Sequence, residues 1–134
     1  MVGTELFEWE KTHIRRQDFS GPMPSRYDKP FTVSELNRHY LKRFIDLAKK
    51  HGITILWVTM PLPQQVLDNR ERIGFTQDYY SFLDDIAADN VIMLQPDFTV
   101  IDNRYFRDHS HMNADGGIAF SETIARKLAP LVSK

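Results

Sequence analysis

The chain has 134 residues, enough for one packed core, and its 42% hydrophobic and 26% charged content is that of a globular protein rather than a disordered one. A net charge of −1, from 17 basic and 18 acidic residues without a long run of either sign, gives no electrostatic basis for nucleic-acid or anionic-membrane binding. The absence of cysteine excludes disulfides, zinc–thiolate centres and cysteine nucleophiles. No apolar stretch approaches the roughly 18–20 residues of a membrane span, so no span is expected in this chain. Met1–Glu10 lacks the basic start and apolar run of a signal peptide.

Residues 1–31 show no period, and Pro22, Pro24 and Pro30 with Gly21 and Ser25 predict an irregular arm ahead of a domain over 32–134. Thr32-Val-Ser-Glu35 has capping-box spacing, with Phe31 and Leu36 placed for a hydrophobic staple. Val33, Leu36, Tyr40, Phe44, Leu47 and Ala48 then recur at helical spacing, and Gly52 suits a left-handed cap, so a helix is expected over 32–51. Ile53–Met60 is a nearly continuous apolar run closed by Pro61 and Pro63, the pattern of a strand buried on both faces. That places Trp57 and Met60 in the core. Residues 64–73 read as a weak helix or a loop. Thr76 is placed to cap a further helix with Tyr79, Phe82, Leu83, Ile86 and Ala87 inward, ended by Asn90. Core packing is the expected role of Tyr79, Tyr80 and Phe82, ahead of a sugar-stacking platform. Val91–Leu94 is a second short strand, and Asn113 can cap a final helix carrying Phe120, Ile124, Leu128 and Leu131 inward.

Alternating helices and strands predict an α/β fold built on a parallel sheet. Two strands make a poor sheet alone, so a further strand is expected from residues 1–31 or from chain not present here.

The chemistry concentrates in Arg104–Gly117, between the second strand and the last helix, where open α/β sheets place ligand sites. Asp108 and His111 are close enough for a tight turn to join carboxylate to imidazole. A carboxylate on one ring nitrogen fixes the tautomer and leaves the other free to accept a proton from a nucleophile. Asn113 and Gly116 suit a helix start that packs closely against the sheet.

Asp108-x-x-His111 followed by Met112-Asn113-x-x-Gly116 and an apolar C-terminal helix resembles the last block of SGNH/GDSL hydrolases. With Tyr105-Phe106 ahead, it is most similar to the branch of polysaccharide O-acetyltransferase-like proteins of alginate acetylation and teichoic acid D-alanylation. Gly52-Ile-Thr-Ile-Leu-Trp-Val-Thr-Met-Pro61 also resembles that branch. The resemblance implies a three-layer flavodoxin-like fold with helices on both sheet faces, incomplete here at its N-terminal side. It implies an esterase or O-acyltransferase acting on acyl esters, mainly of carbohydrates, outside the cytoplasm. His111 would be the general base, Asp108 its orienting acid, and no metal or organic cofactor would be required.

The family's Gly-Asp-Ser turn and its oxyanion-hole glycine and asparagine are not visible. The nearest approach is Asp18-Phe-Ser20-Gly21, where Ser20 more commonly marks a turn. A non-catalytic module of the same scaffold, binding a glycan or a protein, is therefore the alternative. A weaker one is a metal site built from His109 and His111 with Asp108 and Asp115. Asp97 and Asp102 read as turn formers, Phe7, Trp9 and Phe19 as surface for a partner segment, and His13, His39 and His51 carry no assigned role.

Overall fold

A computed structural model describes residues 23–132. Ser20, and with it Phe7, Trp9, His13 and Phe19, lies outside the described residues. Four helices and two strands follow one another: α1 (Glu35–Lys50), β1 (Ile55–Val58), α2 (Gln64–Arg72), α3 (Phe75–Ile86), β2 (Val91–Gln95) and α4 (Ala114–Val132). Short 3₁₀ turns occupy Ser25–Tyr27 and Asn103–Tyr105. The architecture is α/β, with β1 and β2 paired in parallel and no third strand in their sheet among the described residues. Ile55 pairs with Val91, Leu56 with Ile92 and Trp57 with Met93, and a bulge then pairs Val58 with Gln95. None of the helices is long and apolar enough to cross a membrane.

The described residues fall into two units. The first is Pro24–Thr59 with Asp68–Asp97, and it contains the sheet, α1 and α3. Helix α1 begins later than the capping box suggests. Ser34, not Thr32, is the cap, its hydroxyl accepting the Asn37 N–H at 3.2 Å. Phe31 is not half of a staple: it stands edge-on to Phe75 and Tyr79 and tilted to Phe82, with ring centres 5.2–5.4 Å away. That packing holds the chain extended up to Ser34 and delays the helix. At the other end Gly52 adopts φ +66°, and the N–H groups of Gly52 and Ile53 bond the carbonyls of Lys49 and Ala48 at 3.0 and 2.8 Å. This pair of bonds is a Schellman cap, which requires a left-handed residue.

The face that α1 buries is only in part the expected one, Ala48 alone among the expected inward residues of the helix being buried. Ile45 and Ala48 are buried, with Arg38 and Leu41 half-buried beside them, whereas Leu36, Tyr40, Phe44 and Leu47 are 64, 58, 57 and 55% exposed. Arg38 and Lys42 both reach Asp85 on α3, and the Arg38 guanidinium lies 5.7 Å from the Phe82 ring centre. Those contacts lie on the same side of α1 as the Ile45 stripe.

Helix α3 starts after Gly74, whose φ is +77°, and no side chain caps it, so Thr76 is not the cap. Tyr79, Phe82, Leu83 and Ile86 are buried as expected, while Ala87 is exposed. The Tyr79 hydroxyl stands 2.9 Å from Trp57 Nε1 and 2.6 Å from Thr59 Oγ1, and Thr59 Oγ1 donates to the Pro96 carbonyl at 2.8 Å. Because the single Thr59 proton goes to Pro96, Tyr79 donates to Thr59 and accepts from Trp57. Met60 is 53% exposed and outside the core, since the strand ends at Val58 and Pro61 carries no N–H to extend the ladder.

The second unit is Met60–Leu67 with residues 98–132. Leu62, buried, makes a parallel bridge to Val100, with its N–H on Thr99 and its carbonyl accepting from Ile101 at 2.9 and 3.2 Å. Of residues 64–73, which the sequence leaves between helix and loop, Gln64–Arg72 form α2. Phe120, Ile124 and Leu128 of α4 are half-buried, but Leu131 is exposed in the final turn.

Candidate active site

The loop between Tyr105 and Asn113 is closed like a small hairpin. Phe106, 2% exposed, bridges Met112 in antiparallel fashion. The Arg107 N–H bonds the His111 carbonyl at 2.9 Å, and the Asn113 N–H bonds the Tyr105 carbonyl at 2.8 Å. Within this frame Asp108 forms an Asx turn, its Oδ1 accepting the N–H groups of Ser110 and His111, each at 2.8 Å. A short carboxylate can satisfy its own chain two and three residues on in this way.

The turn brings the imidazole of His111 onto the same carboxylate. His111 Nδ1 stands 2.9 Å from Oδ1 and 2.8 Å from Oδ2 of Asp108. An ionised carboxylate only accepts, so in the neutral ring the proton sits on Nδ1 and Nε2 carries the lone pair. Nε2 has no hydrogen-bond partner among the described residues, and the His111 side chain is 61% exposed. Burial of Asp108 raises its pKa, but the Ser110 N–H, the His111 ring and the His111 N–H outweigh it and hold the carboxyl at about 2. It therefore stays charged through the range in which a base must work.

Ser110 was not singled out by sequence, yet its hydroxyl donates to Asp108 Oδ1 at 3.2 Å and lies 3.3 Å from His111 Nδ1. It is on the nitrogen already engaged by the carboxylate, which makes it part of the acid's support rather than a nucleophile for Nε2. The Asp-x-Ser spacing was the available signal.

Asn113 fixes the far end of the loop. Its Oδ1 accepts the Gly116 N–H at 2.9 Å, capping α4, while its Nδ2 donates to the Arg104 carbonyl at 2.6 Å. Gly116 is buried against Tyr105. The cap expected of Asn113 is present, whereas the close packing of Gly116 is on the Tyr105 backbone instead of the expected sheet. Together the two contacts lock the loop to the helix start.

No family model, curated protein or solved structure matches this chain.

The other sequence candidates are not drawn into this site. Asp102 caps the 3₁₀ turn through the Arg104 N–H at 2.8 Å. Asp97 is exposed, and its backbone carbonyl accepts from the Gln95 side chain at 3.0 Å. Asp115 is exposed in the first turn of α4. No three His, Asp or Glu side chains are grouped to hold a metal ion among the described residues, so the His109–His111 alternative lacks a ligand set there. His39 lies edge-on to Tyr40 with ring centres 5.5 Å apart, and His51 closes α1 through its backbone.

Proposed function

We propose that this chain carries the acid–base pair of an SGNH-type serine esterase or O-acyltransferase acting on acyl esters of carbohydrates. The observation that supports this reading best is the hold of both Asp108 oxygens on His111 Nδ1, with Nε2 left unengaged among the described residues. In this reading Nε2 takes the proton of a serine hydroxyl as its oxygen attacks the ester carbonyl. The same proton passes to the departing alcohol oxygen, leaving an acyl-serine. Water or an acceptor hydroxyl then enters by the reverse path, its proton again taken by Nε2. Asp108 keeps the ring oriented and stabilises the imidazolium formed in each half. Hydrolysis and transfer share these steps. The parallel pairing of β1 with β2 is consistent with the three-layer flavodoxin-like fold that the resemblance implies.

A serine-directed fluorophosphonate, read by intact mass, tests the proposal on the chain and on His111→Ala. A single adduct on the first and none on the second would put a functional serine within the chain, with Ser20 the first residue to map. No adduct on either protein would exclude a self-sufficient serine enzyme and leave either an enzyme whose serine lies outside these residues or the glycan- or protein-binding module.

A further inference from the structure

Helix α1 carries two apolar stripes, and only one is used. Ile45 and Ala48 are buried, whereas Leu36, Tyr40, Phe44 and Leu47 all stand more than half exposed. At about 100° per residue these four fall within an arc of roughly 80°, a continuous strip along the outer side of the helix. A shallow groove of about 560 Å³ follows it, lined by Tyr40, Arg43, Phe44, Asp46, Leu47 and Lys50. Large apolar side chains lined up in water are the mark of an interaction surface rather than of a solvated helix face.

The charges of α1 divide in the same way. On the packed side Arg38 and Lys42 both pair with Asp85, and Lys49 pairs with Asp89 at 2.8 Å. Beside the outer strip, Arg43 and Asp46 make no hydrogen bond or ion pair with a described residue. They are one helical turn apart and share one flank of the strip. When two copies of such a helix meet antiparallel about a two-fold axis, the same flanks face each other in reverse order. Arg43 of one copy then stands opposite Asp46 of the other, twice, with Phe44 near the centre and Tyr40 and Leu47 beside it. Lys50 falls at the rim, where solvent screens it.

We propose that the outer face of α1 is a self-association surface, pairing this chain with a second copy of itself in an antiparallel helix–helix contact. A rim of one sign would call for a partner of the opposite sign. A rim carrying both signs one turn apart on one flank is complementary to itself. One helix face is small beside the ~800 Å² per partner of a standard interface, so the expected dissociation constant is of micromolar order.

Sedimentation equilibrium of the full chain over a roughly hundredfold concentration range tests this. The expected mass rises from the 15.7 kDa of one chain to twice that value. Phe44→Glu is expected to hold the protein at the monomer mass. Arg43→Asp and Asp46→Arg should each raise the dissociation constant roughly tenfold or more, and the double exchange should restore it. All three positions are exposed, so far-ultraviolet circular dichroism should match the parent in every variant. A chain that stays monomeric throughout leaves the face to a different partner and overturns the proposal. So does a dimer indifferent to Phe44→Glu, or a double exchange no tighter than its singles.

Discussion

Gly116 lies directly beneath the backbone of Tyr105, so close that a Cβ there would overlap the Tyr105 carbonyl oxygen and come within 3.0 Å of the Tyr105 Cβ. The start of α4 is thereby pressed onto the strand-like edge of the candidate site. Gly116→Ala is expected to cost about 2–3 kcal/mol, because backbone rather than a flexible side chain must give way. Gly117 is the control: nothing lies within 4 Å of its added Cβ. Gly117→Ala should be neutral or stabilising by about 0.5–1 kcal/mol through helix propensity. Urea midpoints of the two variants decide the matter, and equal effects would remove the close approach as the cause.

Asp108→Asn keeps an oxygen for the two backbone N–H groups but replaces the second carboxylate oxygen with an amide that donates. The proton of His111 is then no longer confined to Nδ1. Nitrogen NMR of the ring should show one neutral tautomer in the parent and a mixture in the variant. If the chain acylates as proposed, the rate should fall on the order of 10³–10⁴-fold.

The same carboxylate sets an acid limit. Its folded pKa of about 2 lies below the usual 3.8, so its contribution to stability is present above the usual value and is lost as pH falls through the folded one. The thermal midpoint of the parent should therefore exceed that of Asp108→Asn near neutrality and converge on it between pH 3.8 and about 2. Asp85 and Asp89, also held below the carboxylate range by hydrogen bonds from Lys42 and Lys49, titrate in both proteins and cancel in the difference.

Tyr79→Phe removes the acceptor of the Trp57 N–H and the donor to Thr59, while Thr59 keeps Pro96. A cost of about 1–2 kcal/mol is expected in chemical denaturation. The Trp57 emission should shift in the folded protein, which a packing defect elsewhere would not produce.

The positions that were legible in the sequence are those where one local rule acts without a competitor. Gly52 is one, since only a left-handed residue completes the cap of α1; Asn113 is another, with a side chain that serves the helix and the loop at once. The buried stripe of α3 was readable because a single face of that helix is apolar. Helix α1 has two, and choosing between Leu36-Tyr40-Phe44-Leu47 and Leu41-Ile45-Ala48 required knowing which side of it meets α3, which is remote in sequence. The cap at Ser34 was hidden for a similar reason, because the ring packing of Phe31 decides where the helix starts. In the site, the Asp108–His111 contact followed from spacing, but the support from Ser110 depends on the Asx turn that closes around it.

The two bonds that shut the loop, Arg107 to His111 and Asn113 to Tyr105, have a consequence for how the acid and base move. Carboxylate and imidazole hang from a segment closed on itself, so their effective concentration toward each other is set by the chain and not by the surrounding fold. Any displacement of the segment carries them together. In the proposed chemistry, the one distance left for the rest of the protein to adjust is that from His111 Nε2 to the hydroxyl it would serve.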